Sequence, residues 1–270
     1  MKKIDLMDIT ILIPVRLDSI IRIENLLASI ESVRRNFRTN LYVLEASKYN
    51  NHLLEKLLPG TVRYFWVCDN DPVFYRTHYL NQLAQMASTP YLAIWDADIV
   101  LPKKQIEEAI ETLRIQKCDV VYPYDGHFYD TTSIIREIYL KKKHINILWK
   151  NVDKMLLPYG TNMGGGAIFV NRESFFQAGM ENEEFYGWGP EDWERLTRWN
   201  ILGYNIQRIQ GPLFHLSHPR DLNGKHNSDL QRRKSFFALR KMQDSSQEDI
   251  RKMISVELEQ SFLPTDETGD

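Results

Sequence analysis

Short apolar runs alternate along this chain with longer stretches in which apolar residues return every three to four positions. Ile9-Thr10-Ile11-Leu12-Ile13-Pro14-Val15 is mostly β-branched and closes on a proline, the pattern of a strand covered on both faces. Ile20, Ile23, Leu27, Ile30 and Phe37 then recur with helical period. The same reading predicts strands over 41–44, 62–67, 91–95 and 120–122, and helices over 76–86 and 103–115. Pro102 stands near the start of the last helix, where proline costs least. Strands and helices in alternation imply βαβ units: an α/β fold with a mostly parallel central sheet flanked by helices.

Beyond residue 122 the pattern loosens. The stretch 124–159 is irregular, and its Lys141-Lys142-Lys143 run reads as a solvated helix face. Gly164-Gly165-Gly166 precedes an apolar run, Ala167-Ile168-Phe169-Val170, that predicts a strand. A helix follows from Pro190 through Leu196 and Trp199, with those two residues on its expected buried face. The last 28 residues carry eight acidic and two basic side chains; they begin with helical period at Ile250, Ile254 and Leu258 and are expected to fray after Pro264. The expected organisation is one domain over 1–232 and a helical C-terminal extension with a disordered acidic tail over 233–270.

Composition narrows the class. Hydrophobic residues make up 43% of the 270 and charged residues 26%, ordinary for a globular protein. Thirty-four basic against 36 acidic side chains give a net charge of −2, which argues against general nucleic-acid binding. Cys68 and Cys118 have no metal-type spacing and imply no disulfide framework, so a reducing, cytoplasmic setting is the simplest expectation, with a peripheral membrane association left open. No run approaches the ~18 apolar residues of a membrane span.

Four segments carry candidate chemistry. Asp96-Ala97-Asp98 follows an apolar strand, and ligands in such sheets gather outside the strands' carboxyl ends. Two carboxylates there suit a hard divalent cation that also takes phosphate oxygens; a turn or helix cap ahead of Pro102 would use the same residues. His215 and His218, three apart, suit a manganese-like or zinc-like ion, although two independent histidines are the plainer reading. Tyr186-Gly187-Trp188-Gly189-Pro190-Glu191-Asp192 puts two carboxylates in the first turn of a helix, where the dipole favours their charge. They serve there as helix caps or as an acceptor for a hydroxyl proton. Gly164 to Gly166 allow close approach of a ligand, or a tight turn.

Taken in order, these blocks resemble the GT-A glycosyltransferases, most closely the β-1,4-galactosyltransferase type and the galactosyltransferase-like modules of bacterial chondroitin-type polymerases. The resemblance spans roughly residues 9–230. Ile13-Pro14-Val15-Arg16 is similar to the family's Pro-Phe-Arg loop. Phe74 to Asn81 resembles its Phe-Asn-Arg-Ala-Lys-Leu-Leu-Asn helix, Asp96 to Ile99 its Asp-Val-Asp-Leu, and Gly187 to Asp192 its Gly-Trp-Gly-Gly-Glu-Asp. The resemblance implies Mn2+ or another divalent metal on Asp98, His215 and His218. It implies a UDP-sugar donor held by Pro14, Arg16, Arg76, Asn81, Asp96 and Gly165. A carbohydrate acceptor would lie at Trp188, Glu191 and Tyr186, with Asp192 as catalytic base. His215 stands where the galactosyltransferases have a methionine, Pro190 where they have glycine, and Trp193-Glu194 where they have further aspartates. The expected reaction is inverting transfer of a hexose or N-acetylhexosamine to a carbohydrate hydroxyl; the resemblance favours galactose or N-acetylgalactosamine and leaves glucose-type donors open. A retaining transferase on the same fold, and a carbohydrate-binding or scaffold module that has lost activity, stand as alternatives.

Overall fold

A computed structural model describes residues 3–219 and 222–261. Its elements in chain order are β1 (Ile4–Val15), α1 (Ile20–Asn36), β2 (Phe37–Ser47), α2 (Leu53–Leu57), β3 (Val62–Cys68), α3 (Arg76–Met86), β4 (Tyr91–Trp95), β5 (Ile99–Val100), α4 (Lys103–Ile115), β6 (Val120–Tyr122), β7 (Phe128–Asp130), α5 (Ser133–Lys142), α6 (Asn146–Trp149), β8 (Ala167–Asn171), α7 (Arg172–Gln177), α8 (Glu191–Ile201), β9 (Ile206–Arg208), β10 (Leu213–His215), α9 (Asp229–Gln243) and α10 (Gln247–Ser261).

Seven strands form the central sheet in the order β3-β2-β1-β4-β8-β6-β9. All neighbours pair in parallel except β8, which runs antiparallel to both β4 and β6. The α/β, mostly parallel reading of the sequence is therefore met. The buried runs Ile9–Val15 and Tyr91–Trp95 form its centre, and their apolar side chains are in one continuous core.

Strand β1 begins earlier than its apolar run suggests. Ile4–Leu6 pair with Phe37–Thr39, and the register shifts before Thr10 pairs with Asn40. The Asn40 amide bonds the Met7 and Ile9 carbonyls across that irregularity, at 2.9 and 3.1 Å. Polar residues thus supply hydrogen bonds that the interrupted ladder does not, as a bulge requires.

A second sheet, β5-β10-β7, stands at the carboxyl end of β4. Its strands are two or three residues long, too short for a periodic signal, and only β7 lies in the irregular stretch; the sheet has its own apolar cluster around Val100, Ile135, Tyr139, Leu148 and Phe214. Lys141 and Lys142 are exposed in the last turn of α5, as the charge run implied. Lys143 ends that helix and reaches Glu31 at 3.2 Å.

Helix α8 departs furthest from its sequence pattern. Trp199 is buried, but Leu196 is only half-buried, and Glu191, Glu194, Arg195 and Arg198 complete the inward face. These charges pair inside: Arg198 with Glu194 at 2.9 Å, and Arg195 with Glu181 at 2.8 Å. Pro190 caps this helix rather than opening its first turn. The expected division after residue 232 falls within α9, which packs on α8. Ile250 and Ile254 of α10 join the main core, while the expected fraying after Pro264 lies outside the described residues.

Candidate active site

The turn that leaves β4 carries Asp96 and Asp98 into a cavity of about 460 Å3, within the usual range for a small-molecule site. Strand registers bring the metal candidates together. His215 on β10 lies opposite Ile99 on β5, one residue after Asp98, and opposite Asp130 on β7. The Leu216 N–H donates to the Asp98 carbonyl at 2.8 Å.

The Asp98 Oδ2 atom is 3.4 Å from His215 Nε2 and 3.2 Å from His218 Nε2. One donor atom from each residue lies within 4.8 Å of the others, so the three can converge on one ion. The far nitrogens are also engaged: His215 Nδ1 meets Asp130 at 2.8 Å, and His218 Nδ1 meets the Pro219 carbonyl at 2.8 Å. Such outer partners fix ring orientation and leave Nε2 for the ion. One carboxylate and two imidazoles suit a borderline divalent metal. Burial disfavours charge on His215, yet Asp98 and Asp130 outweigh it and raise its pKa to about 9. Burial likewise opposes the Asp98 carboxylate, but the two imidazoles hold its pKa well below the usual range.

Asp96 has a different partner. Its Oδ1 accepts two bonds from Arg76 at the start of α3, at 2.6 and 3.2 Å. Burial raises the Asp96 pKa, with Asp98 adding to the effect and Arg76 opposing it. Arg76 Nη1 is buried without a protein partner, on a residue that lines the cavity.

Asp192 enters from the first turn of α8. Arg195 donates to its Oδ1 at 2.6 Å. Gly165 lies directly behind: a Cβ there would fall 1.9 Å from Asp192 Oδ2. Glycine at 165 is therefore a steric requirement of the carboxylate's position. Glu191, also in the cavity wall, has a buried Oε2 without a partner. Burial and then the adjacent Asp192 push its pKa up to about 8.

Pro14, Arg16, Arg76, Asp96, Asp98, Trp188, Glu191, Asp192, His215 and His218 all line this one cavity. Three expected contributors do not, which corrects the sequence reading. Asn81 is spent on Glu181 and Glu183: its amide donates to the Glu181 carbonyl at 3.0 Å and to Glu183 at 2.8 Å. Tyr186 points elsewhere, with its hydroxyl on Asp71 and its ring edge against Tyr75. Gly165 sits behind the Asp192 carboxylate and does not line the cavity. Arg16 lines the wall, but its guanidinium is occupied by Asp69 and by the Ala46 and Asp71 carbonyls.

Other residues enter that the sequence did not flag. Asp130 orients His215 from the irregular stretch, and Arg195 holds Asp192 from a helix face expected to be apolar. His226, Phe236 and Leu239 line the cavity from beyond the metal candidates, and the His226 ring meets Trp188 edge-on at 4.9 Å.

A family model described as the N-terminal domain of galactosyltransferase matches residues 150–221, which hold the glycine triplet, Asp192 and both histidines. Glucosyl-3-phosphoglycerate synthase from Mycobacterium tuberculosis, solved with Mn2+, UDP and phosphoglyceric acid, superposes with a TM-score of 0.53 at 14% identity, covering 87% of this chain and 78% of that one. A mutant of Drosophila β-1,4-galactosyltransferase 7, solved with manganese, UDP-Gal and xylobiose, gives 0.52 at 16% identity, covering 88% and 79%. The chain has the GT-A fold of these two solved structures. Among curated proteins, a probable N-acetylgalactosaminyltransferase 9 of Caenorhabditis elegans is 36% identical over 70 residues, 24% of this chain and 12% of that protein. The GT-A chain thus spans about an eighth of that relative's length. Among the described residues, no helix is long and apolar enough to cross a membrane.

Proposed function

We propose that this protein is an inverting glycosyltransferase that moves galactose or N-acetylgalactosamine from a UDP-sugar to a hydroxyl of a carbohydrate acceptor, with a divalent metal. One observation carries the reading. The Asp98–His215–His218 cluster and the Asp192 carboxylate line the same cavity from different elements of the fold. An inverting displacement needs that arrangement, with charge stabilisation at the leaving group and a base at the entering one. The Mn2+ and UDP bound by the Mycobacterium protein, and the manganese and UDP-Gal bound by the Drosophila one, support the same choice of donor.

Asp98, His215 and His218 hold the ion, which supplies positive charge to the leaving diphosphate. Arg76 faces the donor with its unpartnered Nη1 and fixes Asp96 with its other nitrogens, so that Asp96 meets a donor hydroxyl. Asp192 accepts the proton of the attacking acceptor hydroxyl. Glu191, with its pKa near 8, is protonated at neutral pH and offers a hydroxyl donor to a sugar oxygen. Trp188 presents an indole face in the wall where the acceptor sugar packs. We place the enzyme in a reducing compartment, in keeping with its unpaired Cys68 and Cys118.

Asp192→Asn tests the assignment. Calorimetric donor affinity is expected to stay within about twofold while turnover falls by about 10²-fold or more. Near-normal turnover rejects Asp192 as the base, and a product with retained anomeric configuration by NMR rejects the inverting mechanism.

A further inference from the structure

The carboxylate assigned as the base is itself held by a charged group that takes no part in binding the metal. Arg195 lies on α8 three residues after Asp192 and is wholly buried. Its Nη2 donates to Asp192 Oδ1 at 2.6 Å and to the Gly164 carbonyl at 3.3 Å. Its Nη1 donates to both oxygens of Glu181, each at 2.8 Å. Glu181 is fixed in turn by Asn81 of α3, which accepts from its backbone N–H at 2.9 Å and donates to its carbonyl at 3.0 Å. A continuous hydrogen-bonded line therefore runs from α3, through the 181 loop, to the carboxylate in the cavity.

We propose that Arg195 is a positioning residue for the transfer reaction, locking the Asp192 carboxylate through Oδ1 in the orientation that accepts the acceptor's proton. The proposal rests on the reading of Asp192 as base. Three observations shape it. Glu181 alone would neutralise Arg195, so a merely structural pair has no need of Asp192. One guanidinium between two carboxylates does not cancel both their charges. Gly165 removes the Cβ that would displace Oδ2, so the two oxygens have separate neighbours: Arg195 Nη2 at Oδ1 and the Gly165 backbone at Oδ2. The planar guanidinium suits this task, since it can bridge two carboxylates in a fixed geometry that an ammonium cannot reproduce.

The test is Arg195→Lys, made both in the wild-type chain and in Asp192→Asn. Lysine keeps the charge and loses the fork. In the wild-type background kcat for transfer is expected to fall about 10–100-fold, the scale of an ångström's misplacement of a reacting group, with UDP-sugar Kd within about twofold. In Asp192→Asn the same substitution is expected to cost nothing further, because two residues acting as one unit are not additive. If Arg195→Lys does not fold, the paired change Arg195→Met with Glu181→Met avoids a lone buried charge and is read in the same two backgrounds. An unchanged kcat, or an equal loss with and without Asp192, overturns the proposal while leaving the base assignment intact. Near-normal turnover of Asp192→Asn alone overturns both.

Discussion

Raising the pH should tighten metal binding steeply, because His215 must give up a proton before it can ligate. In the metal-free protein that imidazole has its pKa raised to about 9, burial being outweighed by Asp98 and by the Asp130 bond to Nδ1. Asp98, held well below the usual carboxylate range, stays ionised throughout and contributes no slope. At pH 7 the proton lies about two units below its release, which costs about 3 kcal/mol at ~1.4 kcal/mol per unit. Apparent affinity at pH 7 is then about 100-fold weaker than above pH 9, rising about tenfold per unit between. The sign for folding is opposite. A pKa raised above the unfolded value near 6.5 stabilises the metal-free fold fully below pH 6.5 and loses that contribution as pH rises through 9, about 3 kcal/mol in all. Isothermal titration with Mn2+ from pH 6.5 to 8.5, in buffers of different ionisation enthalpy, reads both the slope and the protons released. About one proton per ion is expected at pH 7. A flat affinity with no proton release would show that His215 is already neutral, and would refute the charged triad.

Two further outcomes follow from the cavity walls. Gly165→Ala places a methyl group against Asp192 Oδ2 and should lower kcat by about 10²-fold while leaving metal affinity unchanged by calorimetry; normal kcat would show that the carboxylate is free to move. Glu191→Gln should flatten the alkaline loss of stability. A carboxyl raised to about 8 from 4.5 destabilises the fold progressively as pH climbs between those values, by about 4–5 kcal/mol in all, and glutamine has no proton to lose. Urea unfolding with chelator present, at pH 5 and pH 8.5, measures the difference between variant and wild type; an identical pH slope in the two would reject it.

The central sheet was readable because its strands are apolar on both faces: Ile9–Val15 and Tyr91–Trp95 carry the pattern in their own residues. Asp98, His215 and His218 were readable as residue types suited to metal, and the resemblance put them in one place. What escaped was set by partners distant in sequence. Asn81 sits in a block resembling a donor-binding helix, yet its amide is committed to a loop a hundred positions away. Tyr186 adjoins the segment that carries Asp192 but turns its hydroxyl to Asp71. The inward face of α8 is built of ion pairs, so a search for apolar period finds Trp199 and misses Arg195. Asp130 ends a three-residue strand whose pairing becomes visible only beside β10.

The small sheet β5-β10-β7 gives the metal a mechanical role as well. Asp98 and His215 stand more than a hundred positions apart, and the strands that join them pair over two or three residues each. So short a ladder adds little cohesion by itself. An ion bound across it acts as a removable cross-link present only in the folded chain, which it stabilises by mass action. Loading the site would then slow the parting of β10 from the turn after β4, and the lifetime of the folded chain would follow the supply of metal.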